Sequence, residues 1–484
     1  MLFNSFEFLV FFPTVTLLYF LLPHRWRWAL LLVASCVFYM AFVPAYVLIL
    51  LFTIVIDYYA GLLLASTHGR TRWLWLLASI VANVGVLAFF KYLTFIIENI
   101  NAFLGIVGAA ERMPMLSILL PIGLSFHTFQ AMSYTIEVYR GHQQAERHFG
   151  IYALYVMFYP QLVAGPIERP QNLLWQFRER HYFDYDRVTD GLKLMGLGMF
   201  KKVLIADQVA PIVNQVYADP AAHGSVALLI GTLLFSFQIY YDFAGYSDIA
   251  RGSARVMGFE LMLNFDAPYF SVSVAEFWRR WHISLSSWFR DYVYVPLGGS
   301  RVLTPRRCVN VMIVFLLSGL WHGANWTYVV WGGLHGFYIV VQTLWGRMLG
   351  RERAQRAEEM STAKAILRCL GTFMLVYLAW IFFRAATVGD AMLILQKIVV
   401  GLPGELPLLA RGSLAIEFSQ MRLLLAAAVI CFMLTIEYLD RRKNIFERLA
   451  AWPLPVRFAV YLAMIYLPVL YGDFGSQQFI YFQF

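Results

Sequence analysis

The residue whose setting most invites chemistry is His322, in the run Ser318-Gly319-Leu320-Trp321-His322-Gly323-Ala324-Asn325-Trp326. It sits in an uncharged stretch bounded by Arg307 and Arg347. About 15 residues separate it from Arg307, roughly 22 Å along a helix, which is deep in a hydrocarbon core about 30 Å thick. An ionisable side chain at that depth is costly and marks a functional site by default. The plain alternative is a neutral imidazole hydrogen-bonded to a carbonyl as structural glue. Glycines on both sides of His322 predict a break in the helix and close backbone approach. An imidazole with an ordinary pKa near 6.5 suits proton abstraction from a hydroxyl at neutral pH. His335 lies 13 residues on, about 220° round a continuous helix, and is expected to face away as a structural residue unless the helix breaks.

A second constellation runs from Glu276 to Tyr292 and contains Trp278-Arg279-Arg280-Trp281-His282. On one helix, Phe277, Trp281, Leu285, Trp288 and Tyr292 would form an apolar stripe, with Glu276, Arg279, Arg280, Ser286 and Arg290 on another face. A basic, tryptophan-rich amphipathic helix reads as an interfacial anchor. The sharper reading has Arg279 and Arg280 binding donor phosphates, with His282 directed into a reaction chamber. A third group, Tyr240-Tyr241-Asp242 to Asp248 with Arg251, lines a polar cavity or forms ion pairs with Arg251 and Arg255. Tyr159–Pro170, broken by proline and glycine, reads as a structural turn.

The elements that must carry these residues are membrane spans. Of 484 residues, 60% are hydrophobic and only 14% charged, against about 25% charged in a soluble protein. That excludes a soluble globular enzyme and a disordered chain. Apolar runs over 8–22, 28–43, 47–64, 73–90, 92–107, 116–134, 151–165, 191–216, 226–241, 309–320, 326–345, 366–383, 423–439 and 458–469 predict an all-α polytopic protein with about 11–14 membrane segments. They form one domain, 1–484, with an amphipathic or re-entrant region at about 242–308.

The net charge of +9 resides in short clusters between apolar runs: Arg25/Arg27, Arg70/Arg72, Arg178/Arg180, Arg306/Arg307, Arg351–Arg356 and Arg441–Lys443. Such clusters read as cytoplasmic loops, not a nucleic-acid surface, and place both termini outside the cytoplasm. The first apolar run reads as a retained span, not a signal peptide. The four cysteines form no CxxC pair, so neither a disulfide framework nor a metal site is expected. P-loop, α/β-hydrolase and zincin motifs are absent.

Taken together, 277–292, 321–325, 242–252 and the flanking Met1-Leu2-Phe3-Asn4-Ser5 and Phe479–Phe484 make the chain resemble the membrane-bound O-acyltransferase family, most of all its bacterial exopolysaccharide branch. The resemblance implies an irregular helical bundle with a central funnel, in which His322 matches the catalytic histidine and His282 a second histidine of this branch. It implies an acetyltransferase that relays acetyl groups from a cytoplasmic donor, acetyl-CoA, across the bacterial inner membrane. Periplasmic acetyltransferase partners then place them on an exopolysaccharide, alginate. Transfer of D-alanine or another acyl group to an envelope polymer is the alternative within the family. Both general-base and acyl-histidine chemistry remain open. From other classes, a transporter or flippase predicts embedded charge pairs or repeated halves, neither of which is found in the sequence. A scaffold for a periplasmic enzyme would itself transfer nothing.

Overall fold

The computed structural model describes residues 1–109, 112–116, 120–348, 361–411, 413, 417–443, 449–472 and 479–480. The basic cluster Arg351–Arg356 and the end at Phe484 lie outside them. Every regular element among the described residues is helical. Seven helical runs there are long and apolar enough to cross a membrane alone. Large apolar side chains stand exposed on them: Val399, Val400, Leu424 and Val469 are each more than 60% exposed. Such surfaces need an apolar solvent, and only a helix satisfies its own backbone within one. The protein is an all-α, multi-pass membrane protein.

The chain divides into two compact units. The first holds residues 1–198 and 246–263. Its helices are α1 (Phe6–Leu21), α2 (His24–Met40), α3 (Tyr46–Ser66), α4 (Gly69–Leu87), α5 (Leu93–Ile106), α6 (Leu124–Arg140), α7 (Phe149–Met157), the single turn α8 (Pro170–Leu173) and most of α9 (Tyr185–Lys201). Two expected spans, 73–90 and 92–107, are one continuous helical run, because a wide turn at Ala88–Tyr92 carries α4 into α5 without a loop. Asp57, inside the apolar run of α3, accepts hydrogen bonds from Ser79 Oγ at 2.6 Å and Asn83 Nδ2 at 2.8 Å on α4. A buried carboxylate thereby joins two helices rather than standing unsatisfied. The turn expected at Tyr159–Pro170 is present and buried throughout, held by Tyr155 Oη donating to Glu168 O at 2.9 Å.

The second unit holds 199–245 and 264–480. It contains α10 (Asp207–Ala218), the first part of α11 (Ser225–Met257), α12 (Val274–Arg280), α13 (Ile283–Phe289), α14 (Thr304–His322), α15 (Trp326–Met348), α16 (Thr362–Arg384), α17 (Val388–Ala410), α18 (Gln420–Lys443) and α19 (Leu454–Tyr471). Three sequence readings need correction here. The helix expected to end at Tyr241 continues to Met257, so the irregular region begins later than residue 242. Its charged residues do not break the helix because they find ionic partners: Asp242 meets Lys202 and Asp248 meets Arg251. Arg255, the other arginine weighed as a partner for these acids, bonds Glu260. α17 was not among the apolar runs, since Asp390, Lys397, Glu405 and two internal prolines interrupt it. Finally, 276–292 is not one amphipathic helix; it breaks at His282.

α14 and α15 form a tight antiparallel hairpin. A Cβ on Gly319 would lie 2.2 Å from the Tyr328 carbonyl oxygen, and one on Gly332 2.2 Å from that of Phe315. No side chain fits between the two backbones at these points. Crossings of this kind are built from small residues because membrane helices associate by close packing.

Candidate active site

The hairpin places His322. α14 ends on this residue, and Gly323 follows in extended conformation. Asn325 starts α15: its Oδ1 accepts the Thr327 N–H at 3.0 Å, and its Nδ2 donates to Ala386 O at 3.0 Å. The predicted break therefore lies where the glycine pattern put it, and the Asn side chain pins the turn to the chain just beyond α16. The His322 ring is only 3% exposed. Trp331, Trp321 and Phe383 meet it edge-on, with centroids 4.9, 5.0 and 5.4 Å away. Walls of this kind shut bulk water away from the ring.

The break also returns His335 to the same cluster. Its ring lies 5.1 Å from Trp331, and its Nδ1 accepts the Trp278 indole N–H at 3.2 Å. That bond orients Trp278 and accords with a structural role.

His282 is held by a different device. It has φ 44° and ψ 55°, the left-handed conformation that a non-glycine residue seldom adopts. Such strain persists where the surroundings over-determine it, and it concentrates at active sites. Here the surroundings centre on Asn264, which is fully buried. Asn264 O accepts the Ile283 N–H at 2.9 Å. Asn264 Oδ1 accepts the Ser284 hydroxyl at 2.9 Å and Ser284 N–H at 3.3 Å. The same oxygen lies 3.1 Å from His282 Nδ1. Two donors from Ser284 identify that atom as the amide oxygen, so the Nδ1–H of His282 donates to it. In the neutral ring the lone pair is then on Nε2. Asn264 was missed in the sequence, since it lies far upstream of the arginine-tryptophan-histidine run and belongs to no local motif.

His282 and His322 are brought together across one indole: the Trp321 ring is 6.2 Å from His282 and 5.0 Å from His322. The stripe residues Phe277, Trp281, Leu285 and Trp288 are all buried. Trp281 stacks on Phe277 at 5.3 Å and packs on Trp380 at 5.1 Å. Their apolar faces therefore meet protein, not lipid, which argues against a simple interfacial anchor. Arg280 is committed to Glu276 at 2.6 Å and lies 3.9 Å from Asp266, whereas Arg279 is exposed.

The arrangement makes Asn264 a positioning group for His282. Asn264→Ala is expected to remove the shared acceptor, release the Nδ1 proton and lower activity roughly tenfold, on the scale of losing a buried hydrogen bond to an oriented imidazole. Parallel assays of Asn264→Ala and His282→Ala check this: the double variant should be little worse than His282→Ala alone.

An all-helical membrane bundle with a buried histidine at a broken hairpin defines a class, and residues 142–383 match the family model described as MBOAT, membrane-bound O-acyltransferase family. The chain belongs to that family and is an O-acyltransferase. It is 40% identical over 396 residues to the probable alginate O-acetylase AlgI of Azotobacter vinelandii, covering 81% of this chain and 76% of that protein. It is 34% identical over 411 residues to the peptidoglycan O-acetyltransferase of Helicobacter pylori, covering 79% and 75%. Against the teichoic acid D-alanyltransferase of Streptococcus thermophilus the identity is 29% over 281 residues, covering 54% and 68%.

Proposed function

We propose that the chain is the membrane component of exopolysaccharide acetylation, taking acetyl groups from cytoplasmic acetyl-CoA and passing them across the inner membrane to periplasmic transferases that modify alginate. The whole chain acts as one functional domain, with both termini on the periplasmic side. The observation that carries this reading is His322, buried among aromatic rings at the tip of the α14–α15 hairpin and sharing Trp321 with an oriented His282. The higher identity to acetylases than to the D-alanyltransferase favours acetyl as the group moved.

In this reading His322 removes the proton from an acceptor hydroxyl as its oxygen attacks the thioester carbonyl. The C–S bond breaks, and the departing thiolate takes the proton back from the imidazolium. His282 positions the donor by accepting one of its N–H groups on the Nε2 lone pair. The aromatic walls exclude water, which would otherwise compete as acceptor.

The purified protein in liposomes, supplied on one side with acetyl-labelled acetyl-CoA, tests the proposal. Label on a hydroxyl acceptor, with free coenzyme A left behind, supports it. Passage of intact substrate without cleavage would replace it with a transporter, and equal transfer from acetyl-CoA by an added periplasmic enzyme whether this chain is wild type or His322→Ala would make the chain a scaffold. Trapping label on histidine after acid quench would replace general-base with acyl-histidine chemistry.

Arg279 and Arg280 supply positive charge for the donor phosphates, with exposed Arg279 contributing more because Arg280 is already paired. Arg279→Gln is expected to raise the acetyl-CoA concentration for half-maximal rate severalfold with a small effect on the saturated rate. Arg280→Gln should act less through donor affinity and more through yield, since it strands Glu276. Equal donor titrations for wild type and a well-expressed Arg279→Gln would return this segment to a headgroup contact.

A further inference from the structure

A buried charge cluster lies next to the histidine site within the second unit and has no part in the chemistry above. Lys202 Nζ is 2.6 Å from Asp242 Oδ1 and 2.8 Å from Asp207 Oδ1. All three residues are at most 6% exposed. Lys202 opens a wide helical turn, Lys202–Ala206, that interrupts the run from α9 into α10. Such turns recur at functional sites, because the added residue re-aims the side chains around it. The second oxygen of Asp242, Oδ2, accepts the backbone N–H of Ile480 at 2.7 Å. Phe479 and Ile480 are each 1% exposed.

The next residue on α11 after Asp242 is Phe243. Its ring meets Phe479 at 5.9 Å on one side and the His282 imidazole at 4.6 Å, nearly perpendicular, on another. Phe265, one residue beyond Asn264, completes the packing at 5.1 Å from Phe243. His282 is thus fixed twice: by the Asn264 hydrogen bond in the plane of its ring, and by the edge-to-face contact with Phe243 across it. The second contact depends on Phe243 keeping its rotamer, and Phe479 packs against that rotamer. Phe479 is fastened only a residue away from the Asp242–Ile480 bond.

We infer that Asp242, anchored by Lys202, is a positioning residue for acyl transfer: it ties the Phe479–Ile480 segment against Phe243 and thereby sets the orientation of His282. The carboxylate suits this task better than a neutral group, because one oxygen can pair with the ammonium while the other receives a backbone N–H. Asp207 shares the lysine, so Lys202 retains a counter-charge when Asp242 is neutralised, and the fold survives the change. The inference rests on the assignment of His282 and His322 to the reaction.

The test is a double-mutant cycle on the full-length protein in detergent or liposomes, with kcat and KM for acetyl-CoA measured separately. Asp242→Asn is expected to lower kcat about tenfold with KM within twofold of wild type, and with an unchanged elution profile. Phe479→Ala should lower kcat to a similar extent. The double variant should be no worse than twofold below the weaker single variant, because both substitutions release one unit. Arg279→Gln combined with Asp242→Asn should multiply the two effects. Additive losses for Asp242→Asn and Phe479→Ala, or a loss confined to KM, overturn the inference. If Asp242→Asn is poorly folded, Phe243→Leu replaces it in the cycle with the same expectation. An active His322→Ala protein would instead overturn the underlying site assignment, whereas an inactive one with an additive cycle overturns only the role of Asp242.

Discussion

His322→Ala is expected to reduce acetyl transfer to background, a loss of at least 10²–10⁴ if the imidazole is the general base, while leaving insertion and yield nearly unchanged. Both halves follow from the geometry. The ring is enclosed by Trp321, Trp331 and Phe383, so no solvent base can stand in for it. The helix end does not depend on the imidazole, since the break is made by Gly323 and by Asn325 at the start of α15. Alanine leaves a cavity in the aromatic cluster, but the backbone contacts of the hairpin hold its walls. Labelled acetyl transfer by purified protein, beside gel filtration and thermal unfolding in detergent, checks the prediction. Normal turnover by a well-folded variant would remove His322 from the chemistry.

The second large effect concerns folding. Gly319→Ala should sharply reduce the folded yield and thermal stability, because its Cβ would sit 2.2 Å from Tyr328 O, a backbone atom that cannot move without parting α14 from α15. Overpacking of this kind costs typically about 1–3 kcal/mol and sometimes more. Gly333→Ala is the matched control on the same hairpin: the nearest atom to its Cβ is the flexible end of Leu316 at 3.6 Å. It should be tolerated, and the added methyl favours the helix, as alanine does relative to glycine. Thermal unfolding of the two variants in detergent tests the contrast. Equal stability would mean the helices do not touch at Gly319. Because Gly319 is three residues before His322, surviving Gly319→Ala protein should also be poorly active.

These two predictions draw on features of unequal visibility in the sequence. The helix break at His322 was legible, because Gly319 and Gly323 flank a histidine in an uncharged run. The break at His282 was not. Phe277, Trp281, Leu285 and Trp288 keep helical spacing straight across it, so periodicity argued for one helix. A left-handed histidine has no glycine or asparagine to announce it; tertiary contacts such as the bonds from Asn264 hold it there. The multi-pass architecture was plain from long apolar runs, yet α17 escaped notice because Pro403, Pro407 and three charged residues dilute it. Polar residues hid the continuation of α11 for the opposite reason: Asp242 and Asp248 looked like an end, and their partners Lys202 and Arg251 emerge only in three dimensions.

The backbone of residue 282 carries one more consequence. Glycine takes a φ of +44° without steric cost, whereas a side chain there costs about 1–2 kcal/mol. The ring offsets that cost through its bond to Asn264 and its packing on Phe243, so the strained backbone and the buried imidazole stand or fall together. His282→Gly would let the chain relax at φ, yet it would open a cavity beside Trp321 and leave the Asn264 oxygen short of a donor.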